Sequence, residues 1–205
     1  MILAARMREE LGLPGLTVAQ TVPFRDKERM KQLLDTAGLR TPRHDATGTV
    51  AGVWAAAERL GFPLIVKPIA GAGSADTYRA DSAADLDAIL PMLRHVPQVS
   101  VEEFVDAEEY TYDTICADGR VLFENISWYL PRPLLTKMHE WISPIDVALR
   151  DLDAPDLQSG RALGVAVLRV LGFRDGFTHM EWYRKPDGEV GVRRDRGPAT
   201  GRPPG

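Results

Sequence analysis

Gly61-Phe62-Pro63-Leu64-Ile65-Val66-Lys67-Pro68, followed by Gly71-Ala72-Gly73-Ser74, constrains this chain more than any other stretch. The apolar run Leu64 to Val66 carries a lysine to its end. Pro68 then halts the strand, because proline has no N–H to give a ladder. The small residues beyond it let backbone N–H groups come close to a polyphosphate. A buried strand that ends in lysine beside such a loop points to nucleotide phosphate. It is not a Walker sequence, since no lysine follows the glycines and no Gly-Lys-Ser/Thr opens a helix. An ordinary turn is the other reading of the loop taken alone.

A chain of 205 residues holds one sizeable domain or two small ones. Its net charge of −4 and pI near 5.6 give no basic footprint for nucleic acid. The single cysteine, Cys116, excludes an internal disulfide framework and fits a reducing, cytoplasmic compartment. It reads as a small buried hydrophobe on a strand. There is no signal-type apolar segment, and no apolar run approaches the roughly 20 residues of a membrane span.

The periodicity predicts helices over 2–11, 27–37, 49–60, 83–93 and from Ala154 or Pro155 to Leu171. Strands are predicted around Pro42–Asp45, Leu64–Lys67, Thr77–Arg79, Val99–Phe104, Glu109–Cys116, Val121–Trp128 and Asp175–Tyr183. Ala117-Asp118-Gly119-Arg120 reads as a hairpin turn, and Lys185-Pro186-Asp187-Gly188 as another. Residues 129–153, with Pro131, Pro133 and Pro144, read as a loop holding at most one short element. The order is mixed rather than strictly alternating, which favours an α+β architecture.

In order and spacing these features resemble the ATP-grasp superfamily, over roughly residues 25–190. The resemblance implies an α+β fold in which two subdomains clasp ATP, one of them a mobile lid at about 62–104. Arg25-Asp26-Lys27 with Met30-Lys31 looks like the family's opening helix, whose first lysine, Lys27, would reach the α-phosphate. Lys67 matches the lid-strand lysine on the α- and β-phosphates. Gly71, Gly73 and Ser74 match the loop that folds over the β- and γ-phosphates. Glu102-Glu103-Phe104-Val105 resembles the hinge against which adenine lies, read by backbone groups. Glu109 falls where the family places the carboxylate that accepts from the ribose hydroxyls. Thr178-His179-Met180-Glu181 resembles the strand bearing the first Mg²⁺ carboxylate, Glu181, with His179 a neighbour rather than a ligand because magnesium prefers oxygen.

Two departures stand out. Only about 24 residues precede Arg25, against a separate domain in the family, so 1–24 reads as the remnant of a preceding domain and its linker. Further on, after Glu189, the sequence lacks the family's strand with a second metal carboxylate and an arginine, as in E-I-G-A-R-P. Residues 191–205 read instead as an irregular tail, where Asp195 and Arg202 are poor substitutes. A single-base frameshift accounts for this. When the codons of Val192 to Pro203 are displaced by one base, with arginine taken as CGN, the observed residues fix the first and third base of each displaced codon and leave only the middle one free. Those constraints admit F-G-E-I-G-A-R-P-P-G-A.

The resemblance therefore implies a parent enzyme that uses ATP and Mg²⁺ to phosphorylate a small-molecule carboxylate, which an amine or thiol then attacks. Arg132, Lys137 and Arg150 are candidates to face that carboxylate, with exposed surface cations the commoner outcome for such residues. The alternative is a non-catalytic nucleotide-binding protein or an inactive truncated one. Substrate, nucleophile and oligomeric state are not specified by the sequence.

Overall fold

The computed structural model describes residues 1–69, 76–132, 141–143 and 145–196, the side chains of 194–196 apart. It forms two compact units, one of Met1–Arg25, Arg29–Thr41 and the chain from Ala107 onward, the other of Asp26–Glu28 and Pro42–Asp106.

The smaller unit is built on an antiparallel sheet in the order β1-β4-β2-β3, from His44–Thr47, Val99–Glu103, Leu64–Pro68 and Tyr78–Ala80. Two helices cover it, α4 (Val50–Leu60) and α5 (Ala83–Ile89). Thr49 and Ser82 cap them by accepting from Gly52 N–H and Asp85 N–H. Pro91 tightens the end of the predicted 83–93 helix into a 3₁₀ turn, Leu90–Leu93. Val53, Ala56, Leu64, Val66, Leu86 and Val101 form the core. The unit is wider than the 62–104 span expected for the lid, because β1 pairs with β4 and α4 packs on the same sheet.

The larger unit carries five antiparallel strands in the order β7-β6-β5-β8-β9, from Ile145–Ala148, Arg120–Leu130, Glu108–Ala117, Gly176–Arg184 and Val190–Arg196. Helix α6 (Gln158–Val170) lies on one face, with Tyr112, Met180 and Trp182 beneath it. Gly160 and Gly164 let it settle that closely, since a Cβ at either would run into Trp182 or Tyr112. The core also takes Met30 and Leu34 from α3 (Lys27–Thr36), Ile126 from β6, and Val167 from α6. Both sheets are purely antiparallel, in line with the α+β expectation. Two short helices near the start, α1 (Ile2–Glu10) and α2 (Val18–Thr21), complete the unit. Sequence patterning did not foresee α2, which a Thr17/Gln20 capping box sets.

Strand β9 corrects the expectation of an irregular tail from Gly191. Its backbone pairs with β8 from Val190–Arg184 to Arg196–His179. Val192, nearly fully buried, also donates its N–H to the Arg40 carbonyl. Ladder hydrogen bonds need no apolar side chains, so an arginine-rich segment can pair once two valines seat its start.

Candidate nucleotide site

In the smaller unit β2 delivers Lys67 next to β4, with Lys67 opposite Ser100 and Ile65 opposite Glu102. The Lys67 Nζ donates to Glu102 Oε2 at 2.7 Å. The lysine side chain is 20% exposed and the glutamate 6%. Ser100 Oγ lies 2.9 Å from Glu28 Oε1 and 3.1 Å from Glu102 Oε1. His44 Nε2 sits 3.4 Å from the other Glu28 oxygen. One cation, one imidazole and two carboxylates thus share a buried polar cluster at the lysine's end of the sheet.

Glu102 and Glu103 are strand residues of β4, and their side chains have structural partners. Glu102 holds Lys67, while Glu103 accepts from the Arg43 backbone N–H at 2.7 Å and from its Nε at 2.9 Å. The N–H groups of Glu103 and Phe104 donate to the carbonyls of Arg43 and Pro63. Phe104 is half-buried under the Arg79 guanidinium, 4.0 Å from the ring centroid, and Val105 is buried. Lys27 opens α3 and is half-buried. Gly71, Gly73 and Ser74 lie outside the described residues, as do Lys137, Arg202 and the Asp195 side chain.

The larger unit brings its predicted residues onto one face of the sheet. The register sets Glu109 opposite Tyr183, Thr111 opposite Glu181, Asp113 opposite His179 and Ile115 opposite Phe177. Alternate residues of a strand share a face, so these pairs form successive rungs on the side away from α6. Glu109 is almost fully buried, and that burial raises its pKa despite the Arg193 guanidinium, whose Nη1 is 3.2 Å from Oε1. Arg193 is the extra residue of a bulge in β9, where Glu181 faces position 194 and Trp182 faces Val192.

His179 Nδ1 lies 2.6 Å from Asp113 Oδ1, and its Nε2 is 3.9 Å from Glu181 Oε1. The Asp113 hydrogen bond, aided by Glu181, raises the His179 pKa to about 9. Burial alone would raise Asp113, but the hydrogen bond and charge of His179, with Thr111 and Asn125, bring it down. The ion pair therefore stabilises the fold most between about pH 4 and 6.5, and its contribution fades as pH rises toward 9. A shift from 6.5 to about 9 corresponds to about 3 kcal/mol, and about half that with a third of each side chain in water. Thermal melts are expected to fall between pH 7 and 9 in the parent protein. In a His179→Asn variant that decline should be absent.

Asp113 was not foreseen as part of the site, although alternation from Glu109 through Thr111 puts it on the same face. Lys31, only 2% exposed on α3, was noted merely as part of the helix. Arg132 pairs with Glu108 at 3.2 Å, and Arg150 is exposed. Among the described residues no three His, Cys, Asp or Glu side chains are arranged to hold a metal. Glu181 alone still fits magnesium in part, since that ion takes one or two protein carboxylates and completes its shell with phosphate oxygens and water. No helix among the described residues is long and apolar enough to cross a membrane.

No family model matches the chain. It is 29% identical over 191 residues to an L-arginine-specific L-amino acid ligase of Bacillus subtilis, a match that takes in 90% of this chain and 45% of the relative. It is 34% identical over 127 residues to a D-alanine–D-alanine ligase of Pseudomonas fluorescens, covering 56% of this chain and 39% of the relative. The chain thus spans less than half the length of these curated relatives. The fold matches the crystal structure of an L-amino acid ligase from Bacillus licheniformis with a TM-score of 0.79 at 23% identity, over 98% of this chain and 47% of that one. It also matches a D-alanine–D-alanine ligase from Bacillus anthracis complexed with ATP, with a TM-score of 0.74 at 22% identity over 94% and 62% of the two chains. Sequence similarity to two kinds of ligase, and a fold shared with such enzymes, support the resemblance to the ATP-grasp superfamily carried by the order of motifs along the chain.

Proposed function

We propose that this chain supplies the ATP-binding part of an enzyme that joins the carboxylate of one amino acid to the amine of another. The observation that carries the reading is the rung order on the larger unit's sheet, with the buried Glu109 carboxylate one rung from Glu181. Two acids on one face of the sheet, on adjacent strands and adjacent rungs, suit the ribose hydroxyls and a metal ion on the triphosphate. Lys67 and Lys27 act on the phosphates, as the resemblance implies, and catalysis is positioning plus charge neutralisation. In the reaction a carboxylate oxygen attacks the γ-phosphorus and ADP leaves; the amine then attacks the acyl carbon and phosphate leaves. Glu181 would hold Mg²⁺, which when bound neutralises charge on the phosphates. The amine acceptor is favoured over a thiol by the names of both curated relatives. A reducing cytoplasm suits the free, buried Cys116.

A second reading, nucleotide binding without turnover, is favoured for the chain as written by one observation. Position 194, directly across from Glu181, carries arginine. In the displaced frame, F-G-E-I begins at position 192, and its glutamate falls at 194. Isothermal titration with a non-hydrolysable ATP analogue tests both readings, with saturable heat expected and no heat sinking them together. An ADP-release assay on the frame-restored protein, given free amino acids, then separates the ligase from the binding module.

A further inference from the structure

The rung beyond Asp113 and His179 is apolar and open. Ile115 pairs with Phe123 on one side and Phe177 on the other. Their exposures are 36%, 57% and 59%. Directly opposed residues in an antiparallel sheet bring their side chains together on one face, so the three form a row across β6, β5 and β8. Two exposed phenylalanines flanking an exposed isoleucine make a contiguous apolar patch on the sheet face, the kind of surface that binds something.

The order of rungs says what. Glu109 and Tyr183 form the first rung, Thr111 and Glu181 the second, Asp113 and His179 the third with Asn125 across β6, and the apolar row the fourth. If the ribose lies at Glu109 and the phosphates at Glu181, the nucleotide occupies the first two rungs. The group that attacks the γ-phosphorus must then extend the other way. Four residues of strand separate Glu181 from Phe177, about 13 Å. One rung, Asp113 and His179, lies between them, so an amino acid whose carboxylate sits at Glu181 can extend its side chain over the apolar row.

We infer that the Phe123–Ile115–Phe177 row receives the apolar side chain of the substrate whose carboxylate is activated beside Glu181, an inference that rests on the ligase reading above. The polar third rung lies under the substrate's backbone, and the apolar rung sets its preference. A large apolar amino acid is favoured over an acidic one, which would set a charge against the phenylalanine rings.

The test is an NMR titration of the full chain, saturated with ADP and Mg²⁺, with L-phenylalanine and separately with L-aspartate. L-Phenylalanine is expected to bind at least about tenfold more tightly than L-aspartate. Phe177→Ser and Phe123→Ser, both at exposed positions, should each weaken L-phenylalanine about tenfold and leave ADP affinity unchanged. Unaltered L-phenylalanine binding in both variants, with ADP still bound, overturns the inference alone. Failure of the parent chain to bind ADP removes the ligase reading first, and this inference with it. Sedimentation supplies the last outcome. Self-association that both serine variants abolish, with no change in ligand binding, assigns the row to a second copy of the chain instead.

Discussion

Replacing Arg194 by glutamate is expected to tighten Mg²⁺ binding in the presence of ADP by at least about a hundredfold. Partners that merely orient metal ligands are worth about 10–100-fold in metal affinity, and a direct ligand should exceed that. The β8–β9 register puts position 194 straight across from Glu181. Opposed residues in such a ladder bring their side chains within about 5 Å, close enough for two carboxylates to share one ion. In the chain as written the same position carries a fixed positive charge, which repels a dication rather than holding it. Titration of Mn²⁺, followed by its paramagnetic signal with and without ADP, gives the affinity. Equal affinity in the parent and Arg194→Glu would dismiss both the pairing of positions 181 and 194 around a metal and the frameshift that motivates it.

The neighbouring residue sharpens this. Arg193 reaches Glu109, the carboxylate assigned to the ribose. In the displaced frame a glycine falls at position 193, which would leave Glu109 without that guanidinium. The frame therefore changes two contacts together, one at the metal carboxylate and one at the ribose carboxylate. A variant carrying Arg194→Glu alone separates the metal effect from the ribose effect, because it keeps the Arg193 pair.

Much of the architecture is legible in the sequence, for local reasons. Glycines such as Gly61 and Gly119, at positive φ, mark a helix end and a hairpin turn where residues with a Cβ are disfavoured. Ser82 announces a helix start, and alternation along Glu109–Cys116 and Val121–Trp128 gives the central hairpin. What escaped is non-local. Strand β9 exists because β8 offers it a ladder, which V-G-V-R-R-D-R does not announce by pattern. The extent of the smaller unit escaped as well, since only the pairing of β1 with β4 shows that residues from Pro42 belong with the lysine strand. The same holds for the site. Lys67, Glu109 and Glu181 stand out by residue type against their surroundings. Asp113 does not, because an aspartate on a strand becomes informative only when His179 is seen 2.6 Å away. Glu102 was expected in a hinge segment that reads adenine with its backbone groups; the contact of its side chain with Lys67 depends on a register that sequence alone does not fix.

That contact gives Lys67 two separable duties, and variants at this pair should distinguish them. Lys67→Met removes the cation assigned to the α- and β-phosphates. The loss of one partner of a charged, largely desolvated pair weakens binding by about 2–5 kcal/mol, so ATP-analogue affinity should fall at least about 30-fold. The same change leaves Glu102, 6% exposed, without the ammonium it holds at 2.7 Å. Breaking a buried pair in this way costs about 3–5 kcal/mol, and the remaining Ser100 contact argues for the lower end. A lowered melting temperature alone would thus make lost binding ambiguous. Lys67→Met/Glu102→Gln resolves it, because the neutral amide needs no cation and can still hydrogen-bond Ser100. The double variant is expected to melt near the parent's temperature while binding the analogue as poorly as Lys67→Met. Recovery of binding together with stability would show that Lys67 merely holds the strand in place, and the phosphate role would pass to another cation.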